Sequence, residues 1–217
     1  MKKIAVILGV FSITFFSCSK ENSNDDYAQE PISEIEVSQE EPSDIVDGIV
    51  KSTNVNWTGF KTNDKIAVSG SFDGVRVVNT KDGTTPEEVL DGAKVIVSVA
   101  SINSGLNERD GKLKMILFGA MENTSEIYGT INFRSGKTFI RFSMNNNSKE
   151  YEVKSTFINN KFTIETKVDL LDFNASTALE ALNNACSDLH KGPDGVTKTW
   201  SEVDIVGEIE FTESFGK

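Results

Sequence analysis

Three groups of residues in this 217-residue chain have types and spacing that could do chemistry. Glu108, Arg109 and Asp110 set two carboxylates around a guanidinium, a combination suited to general acid–base transfer. Asp172, Asp188 and His190, the only histidine, gather around a late helix-like stretch, and Cys18 and Cys186 are the only thiols. A zinc or other transition-metal centre needs converging His and Cys ligands, which one histidine and two distant cysteines do not supply. A serine hydrolase wants a histidine beside a nucleophile, and no G-x-S-x-G elbow is present. No glycine-rich phosphate loop follows a strand pattern either. Helix capping and solvation account for Asp172, Asp188 and His190, and a run such as 108–110 reads as a solvated helix face. The expectation is a binding protein and not an enzyme, with no metal and no cofactor.

The element that must position Arg109 and Asp110 runs from Lys94 to Gly119. Val95, Val97 and Val99 alternate with Ile96, Ser98 and Ala100, a β-branched run at period two that predicts a strand. After Ser104-Gly105, Leu106, Leu113, Met115, Ile116 and Leu117 are spread among charged residues at closer to helical spacing. A strand thus delivers a charged helix across one end of a sheet, where Arg109 and Asp110 would fix it as a helical lid.

From Lys51 onwards the chain is a succession of alternating segments. Val55, Trp57 and Gly59 share one face, as do Val68, Gly70 and Phe72, with Thr62-Asn63-Asp64 between them as a hairpin loop. Val75 to Val78 is a short third strand. Thr85-Pro86-Glu87-Glu88 is a capping box with proline at the first helical position, predicting one turn of helix that stops at Gly92. Ile127, Gly129, Ile131 and Phe133 form the next face. Ile140, Phe142 and Met144 follow, then Tyr151, Val153 and Phe157, then Phe162, Ile164, Val168 and Leu170, separated by Ser135-Gly136, Asn145 to Asn147 and Asn159-Asn160. The last strand surrounds Val203 to Phe211. Before it, Thr177-Ala178-Leu179-Glu180 reads as a second capping box, with Leu179, Leu182, Cys186 and Leu189 on one helical face and His190 at the helix end, where a cation suits the dipole. On that face Cys186 is a small buried hydrophobe.

The fold class is therefore mainly β: about eight antiparallel strands with two or three short helices. Strands with one apolar face hide it in a two-sheet sandwich or a closed barrel, and alternation alone does not choose. Glycines at the inward positions Gly59, Gly70, Gly129 and Gly207 favour a barrel with interior space. The inward residues Trp57, Phe72, Val97, Phe133, Phe142, Phe157 and Ile164 are the candidate ligand-binding side chains.

The first fifty residues differ in kind. Lys2-Lys3, an apolar run from Ile4 to Phe16 and Ser17-Cys18 have the layout of a secretory signal peptide (1–17), too short to span a membrane. Residues 18–50 hold ten Asp and Glu against one Lys, which accounts for most of the net charge of −11. That segment is too polar to bury a core and reads as a solvated tether, leaving 51–217 as the folded domain. Neither part offers the basic face that nucleic acid requires.

Three resemblances add to this. Ser17-Cys18 resembles a relaxed lipobox, which implies lipidation of Cys18, a membrane anchor and no disulfide to Cys186. Lys20-Glu21 resembles the surface-export signal of some bacterial lipoproteins, and Ser19 implies the outer membrane, so the protein is expected in the cell envelope, facing periplasm or outside. Trp57-Thr58-Gly59-Phe60-Lys61, Val68 to Gly74, Ala100 to Gly105 with Arg109-Asp110, and Gly195-Val196-Thr197-Lys198 together resemble the YceI-like family. That resemblance implies a lipocalin-like barrel whose interior holds a long amphiphilic, isoprenoid-like lipid. The alternative is a surface interaction module in which the barrel is only a scaffold. The helix at Thr177 to Leu189 and the residues Lys191 to Asp194 depart from the family pattern and sit where they could cap or fill the cavity.

Overall fold

The computed structural model describes residues 48–212 and Phe215. The leader, Cys18 and nearly all of the acidic tether expected from the sequence lie outside the described residues. Ten antiparallel strands are formed among those described. β1 (Val50–Lys61), β2 (Ile66–Phe72) and β3 (Val75–Val78) come first, and β4 (Lys94–Ser98) and β5 (Ile102–Asn103) follow a short helix. β6 (Glu126–Arg134), β7 (Lys137–Met144), β8 (Asn147–Ile158) and β9 (Lys161–Asp169) form a meander, and β10 (Glu202–Phe211) returns between β9 and β1. The order across the curled sheet is β3-β4-β6-β7-β8-β9-β10-β1-β2-β5.

The meander is set by its turns. Ser135-Gly136, Asn145-Asn146 and Asn159-Asn160 all have positive φ and each joins strands through two residues. Paired left-handed residues match the right-handed twist of the flanking strands, and asparagine and glycine tolerate that conformation most cheaply. Each turn locks a register that keeps the apolar face inward, as in Ile131 opposite Ile140 and Phe157 opposite Phe162.

The expected strand from Val95 to Ala100 is cut short at Ser98. Val99–Ser101 turns as a 3₁₀ segment, and β5 then pairs with β2 while β4 pairs with β3 and β6. β2 and β3 are likewise one run bent at Asp73-Gly74. The two bends face each other: Asp73 N–H donates to Ser101 O (3.1 Å) and Ser98 N–H to Gly74 O (2.9 Å). Counted as passes of the chain, the ten segments make eight walls, the number expected from the alternation. β8 turns the opposite corner, pairing over 147–153 with β7 and over 154–158 with β9.

Among the described residues three α-helices complete the fold: α1 (Pro86–Leu90), α2 (Asn107–Lys112) and α3 (Ser176–Ala185). α1 begins as its capping box predicts, with Thr85 Oγ1 accepting from Glu88 N–H and the Glu88 carboxylate reaching back to Thr84 N–H. It sinks Val89 and Leu90 completely into a cluster with Ile131, Ile140, Phe162 and Phe211. α2 passes without a break into a π-helical turn, Leu113–Leu117, and a 3₁₀ turn, Phe118–Ala120. That segment and α3 pack into a second cluster with Trp57, Phe72 and Val97. α3 departs from expectation at both ends. Its N-cap is Ala175, with no side-chain cap, because Asn174 in the left-handed region already terminates the preceding 3₁₀ turn and Thr177 falls inside the helix. It stops at Ala185, so Leu189 is exposed and His190 lies beyond the helix end.

Gly70 shows how tightly the second cluster is built. It pairs with Trp57 across β1 and β2, and a Cβ there would lie 2.5 Å from the indole and 2.6 Å from the backbone oxygen of Asn103. The carbonyl belongs to β5 and cannot swing away, so overpacking is not relieved. Gly70→Ala is expected to lower stability by about 1–3 kcal/mol with the fold retained; a urea midpoint equal to that of the parent chain would refute this packing.

Candidate ligand-binding site

Between the inward faces of the sheet and the helical segments lies a cavity of about 180 Å³. Its walls are built by alternation. Val55, Trp57 and Gly59 come from β1, Val95 and Val97 from β4, Phe142 and Met144 from β7, and Val203, Ile205 and Gly207 from β10. Glycine matters here as absence of bulk: a Cβ on Gly59 would have nothing within 4 Å, and one on Gly207 would press on Ile164 at 2.9 Å. At the helical end the cover consists of Leu113, Leu117 and Phe118 beyond α2, with Leu179 and Leu182 of α3. The two indole N–H groups of the wall are already used, Trp57 Nε1 donating to Ser71 O (3.2 Å) and Trp200 Nε1 to Thr62 O (2.7 Å). The interior therefore offers shape and apolar contact and almost no free polarity.

One polar group interrupts this lining. Thr199 Oγ1 donates its single hydrogen to Asn183 Oδ1 of α3 (3.0 Å), so it accepts from His190 Nδ1, 2.7 Å away, which assigns the proton to that nitrogen. Burial is the main cause that holds the His190 imidazole below its ordinary value of 6.5, and the charges of Lys61 and Lys112 add to it. The histidine is thus neutral near pH 7 and does not serve as a helix-end cation.

Among the sequence-expected ligand residues, Trp57, Phe72, Val97, Phe142 and Ile164 line the cavity. Phe133 and Phe157 do not. Phe133 stacks edge-on against Phe162 and Phe157 against Phe211, within the cluster under α1. Both have the correct inward parity, but they stand farther along their strands, where α1 and the C-terminal aromatics fill the interior. Asp110 is buried on α2 and accepts Ser104 N–H at 2.9 Å, pinning the turn that precedes the helix. Arg109 is half-buried, its carbonyl accepts Leu113 N–H, and its guanidinium has no ion-pair partner among the described residues. Sequence reasoning passed over Thr199, Trp200 and Phe118. Trp200 follows the Gly-Val-Thr-Lys run and could have been found as an aromatic two residues before a strand; nothing local marks Phe118. Cys186 is buried and unpaired, and no cluster of His, Cys, Asp or Glu among the described residues could hold a metal ion.

A model of the YceI-like domain matches residues 47–211. Among solved structures, a polyisoprenoid binding domain from Saccharophagus degradans implicated in plant cell wall breakdown aligns with a TM-score of 0.54 at 12% identity, covering 75% of this chain and 95% of that one. BcnA of Burkholderia cenocepacia aligns at 0.49 and 13% identity over 72% and 94% of the two chains. A Campylobacter jejuni YceI protein aligns at 0.45 and 16% identity over 69% and 85%. At 12% identity the first likeness is one of fold. No curated protein matches the chain in sequence.

The state of His190 is directly measurable, because it is the only imidazole in the chain. Its NMR titration midpoint is expected below 6.5. The unfolded chain takes up this proton near 6.5 while the folded chain resists until a lower pH, so stability falls as pH drops through that window. Relative to His190→Gln, the parent chain should lose stability between about pH 7 and the folded-state midpoint; a midpoint at or above 6.5 would contradict the buried, neutral assignment.

Proposed function

The chain belongs to the YceI-like domain family, and from that premise we propose that it binds an amphiphilic, isoprenoid-like lipid, tail inward, and holds or carries it at the cell envelope. The observation that carries this reading is the cavity: about 180 Å³ of apolar space inside the curled sheet, reached by five of the inward residues expected from the sequence. By the same measure one water needs about 10–15 Å³, so the space takes on the order of a dozen methylene-sized groups. A longer chain would place its terminal portion inside and the rest outside. At about 0.8 kcal/mol per methylene the gross gain is roughly 10 kcal/mol. Association and ordering costs of at least about 4 kcal/mol leave at most about 6, a dissociation constant on the order of 100 μM for tail contacts alone.

The Lys2-Lys3 leader, Cys18 and the acidic segment to Val50 support export and a lipid anchor, with the domain displayed on a solvated tether. In that arrangement the protein collects a lipid near the membrane surface without spanning it. Cys18→Ala is expected to move the protein from the membrane fraction to the soluble envelope fraction. Unchanged fractionation would remove the anchor from this reading.

Trp57 and Trp200 are the only tryptophans and both line the cavity, so intrinsic fluorescence reports its occupancy. Delipidated protein exposed to bacterial lipid extract should change its tryptophan emission and carry a lipid in native mass spectrometry. Gly59→Leu adds a side chain where nothing lies within 4 Å, and should keep the fold while weakening uptake about tenfold or more. Undiminished uptake in Gly59→Leu, or no lipid bound to the parent chain, would overturn the proposal and leave the scaffold reading.

A further inference from the structure

The inward row of β1 ends in a charge. Val55, Trp57 and Gly59 line the cavity, and the next residue of the same parity is Lys61, at the end of the strand. Lys61 pairs with Thr199 in an isolated antiparallel bridge, and Thr199 is the polar point of the cavity wall. The ammonium donates to Leu189 O at 3.0 Å, the carbonyl next to His190. Among the described residues no carboxylate lies within ion-pair distance of it. A lysine that keeps its stem against an apolar wall and its charge at the rim is the usual compromise between burial and hydration; here the charge is also uncompensated. Lys112 of α2 stands near enough to His190 for its charge to act on the imidazole. Its partner Glu108 is a neighbour on one helical face and its side chain is 74% exposed, so that pair is free to exchange. Burial is the larger cause of the depressed protonation of His190, and the charges of Lys61 and Lys112 act in the same direction.

We propose that this rim is a headgroup subsite for an anionic single-chain amphiphile, with Lys61 as the principal contact, Lys112 adding positive charge from α2, and the Asn183–Thr199–His190 chain as a neutral wall. The inference rests on the lipid-binding reading and narrows it to a ligand carrying a carboxylate or a phosphate monoester at one end. The hydrogens of Thr199 Oγ1 and of His190 Nδ1 are consumed within the chain of side chains, so neither is donated to an anionic head. The unmet demand is for negative charge, and charge-assisted hydrogen bonds to lysine are the stronger kind.

Three probes with one twelve-carbon tail separate head from tail: dodecanoate, dodecyl phosphate and dodecanol, titrated at low salt by tryptophan fluorescence. Both anions should bind at least tenfold tighter than dodecanol, and the better of the two identifies the head chemistry. In the Lys61→Gln/Lys112→Gln variant the advantage should shrink below about threefold while dodecanol affinity stays unchanged. Equal affinity of anions and alcohol for the parent chain, or an advantage that survives in the double variant, overturns the headgroup subsite while the lipid-binding reading stands. Failure of all three probes to bind overturns both. As a second readout, bound dodecanoate should raise the NMR titration midpoint of His190, and dodecanol should leave it in place.

Discussion

The barrel depends on one corner. Two runs that would be straight strands by pattern both bend, at Asp73-Gly74 and at Val99–Ser101, and the bends hold one another through Asp73 N–H to Ser101 O and Ser98 N–H to Gly74 O. Side chains complete the joint: Asn103 Nδ2 donates to Asp73 Oδ2 at 2.8 Å, Ser71 Oγ donates to Asp73 Oδ1 at 3.0 Å, and Ser101 Oγ donates to Ser98 O at 2.7 Å. A Cβ on Gly74 would stand 3.0 Å from that of Ser101, so the backbones meet here only because one of them is glycine. Without the corner, β2 and β5 would not lie beside β1 on one side while β3 and β4 join β6 on the other. The sheet would keep two open edges, which are a liability in water.

Closure by bending leaves an interior of uneven character. Toward α1 it is filled by Val89, Leu90, Phe162 and Phe211. Toward α2 and α3 it is covered by leucines and Phe118 that stand off from the sheet, and inward glycines keep the walls thin. The same molecule therefore has a packed end that contributes stability and a hollow end that can take a guest. Dry apolar space of this kind costs stability when empty, since its lining lacks contacts on one side, and a tail restores them. Function and fold compete for the same residues, and Trp57, held over Gly70 by an N–H bond to Ser71 O, belongs to both.

Local chemistry was legible where it is self-contained. The paired left-handed turns at Ser135, Asn145 and Asn159, and the capping box of α1, need only their own few residues to be recognised. The second capping box failed for an instructive reason. Thr177 has the right spacing to Glu180, but the 3₁₀ turn Leu170–Phe173, ended by Asn174, delivers the chain in a geometry that starts the helix two residues earlier. Early termination at Ala185 likewise follows from contacts distant in sequence, since Ser187 and Leu189 give their carbonyls to Thr197 and Lys61.

Alternation by itself determined the mainly β class, the eight passes of the chain, and which side of each strand faces inward, because successive side chains on a strand point to opposite faces whatever surrounds them. It also named Trp57, Phe72, Val97, Phe142 and Ile164 as inward residues that reach the cavity. Only the tertiary structure decided how far along the barrel each inward residue stands, and so that Phe133 and Phe157 belong to the packed end. It alone brought Lys61 and the Asn183–Thr199–His190 chain together at one rim. Parity is a property of a single strand, whereas depth and convergence depend on stagger between strands and on where the helices land, and those are settled by pairings across the whole chain.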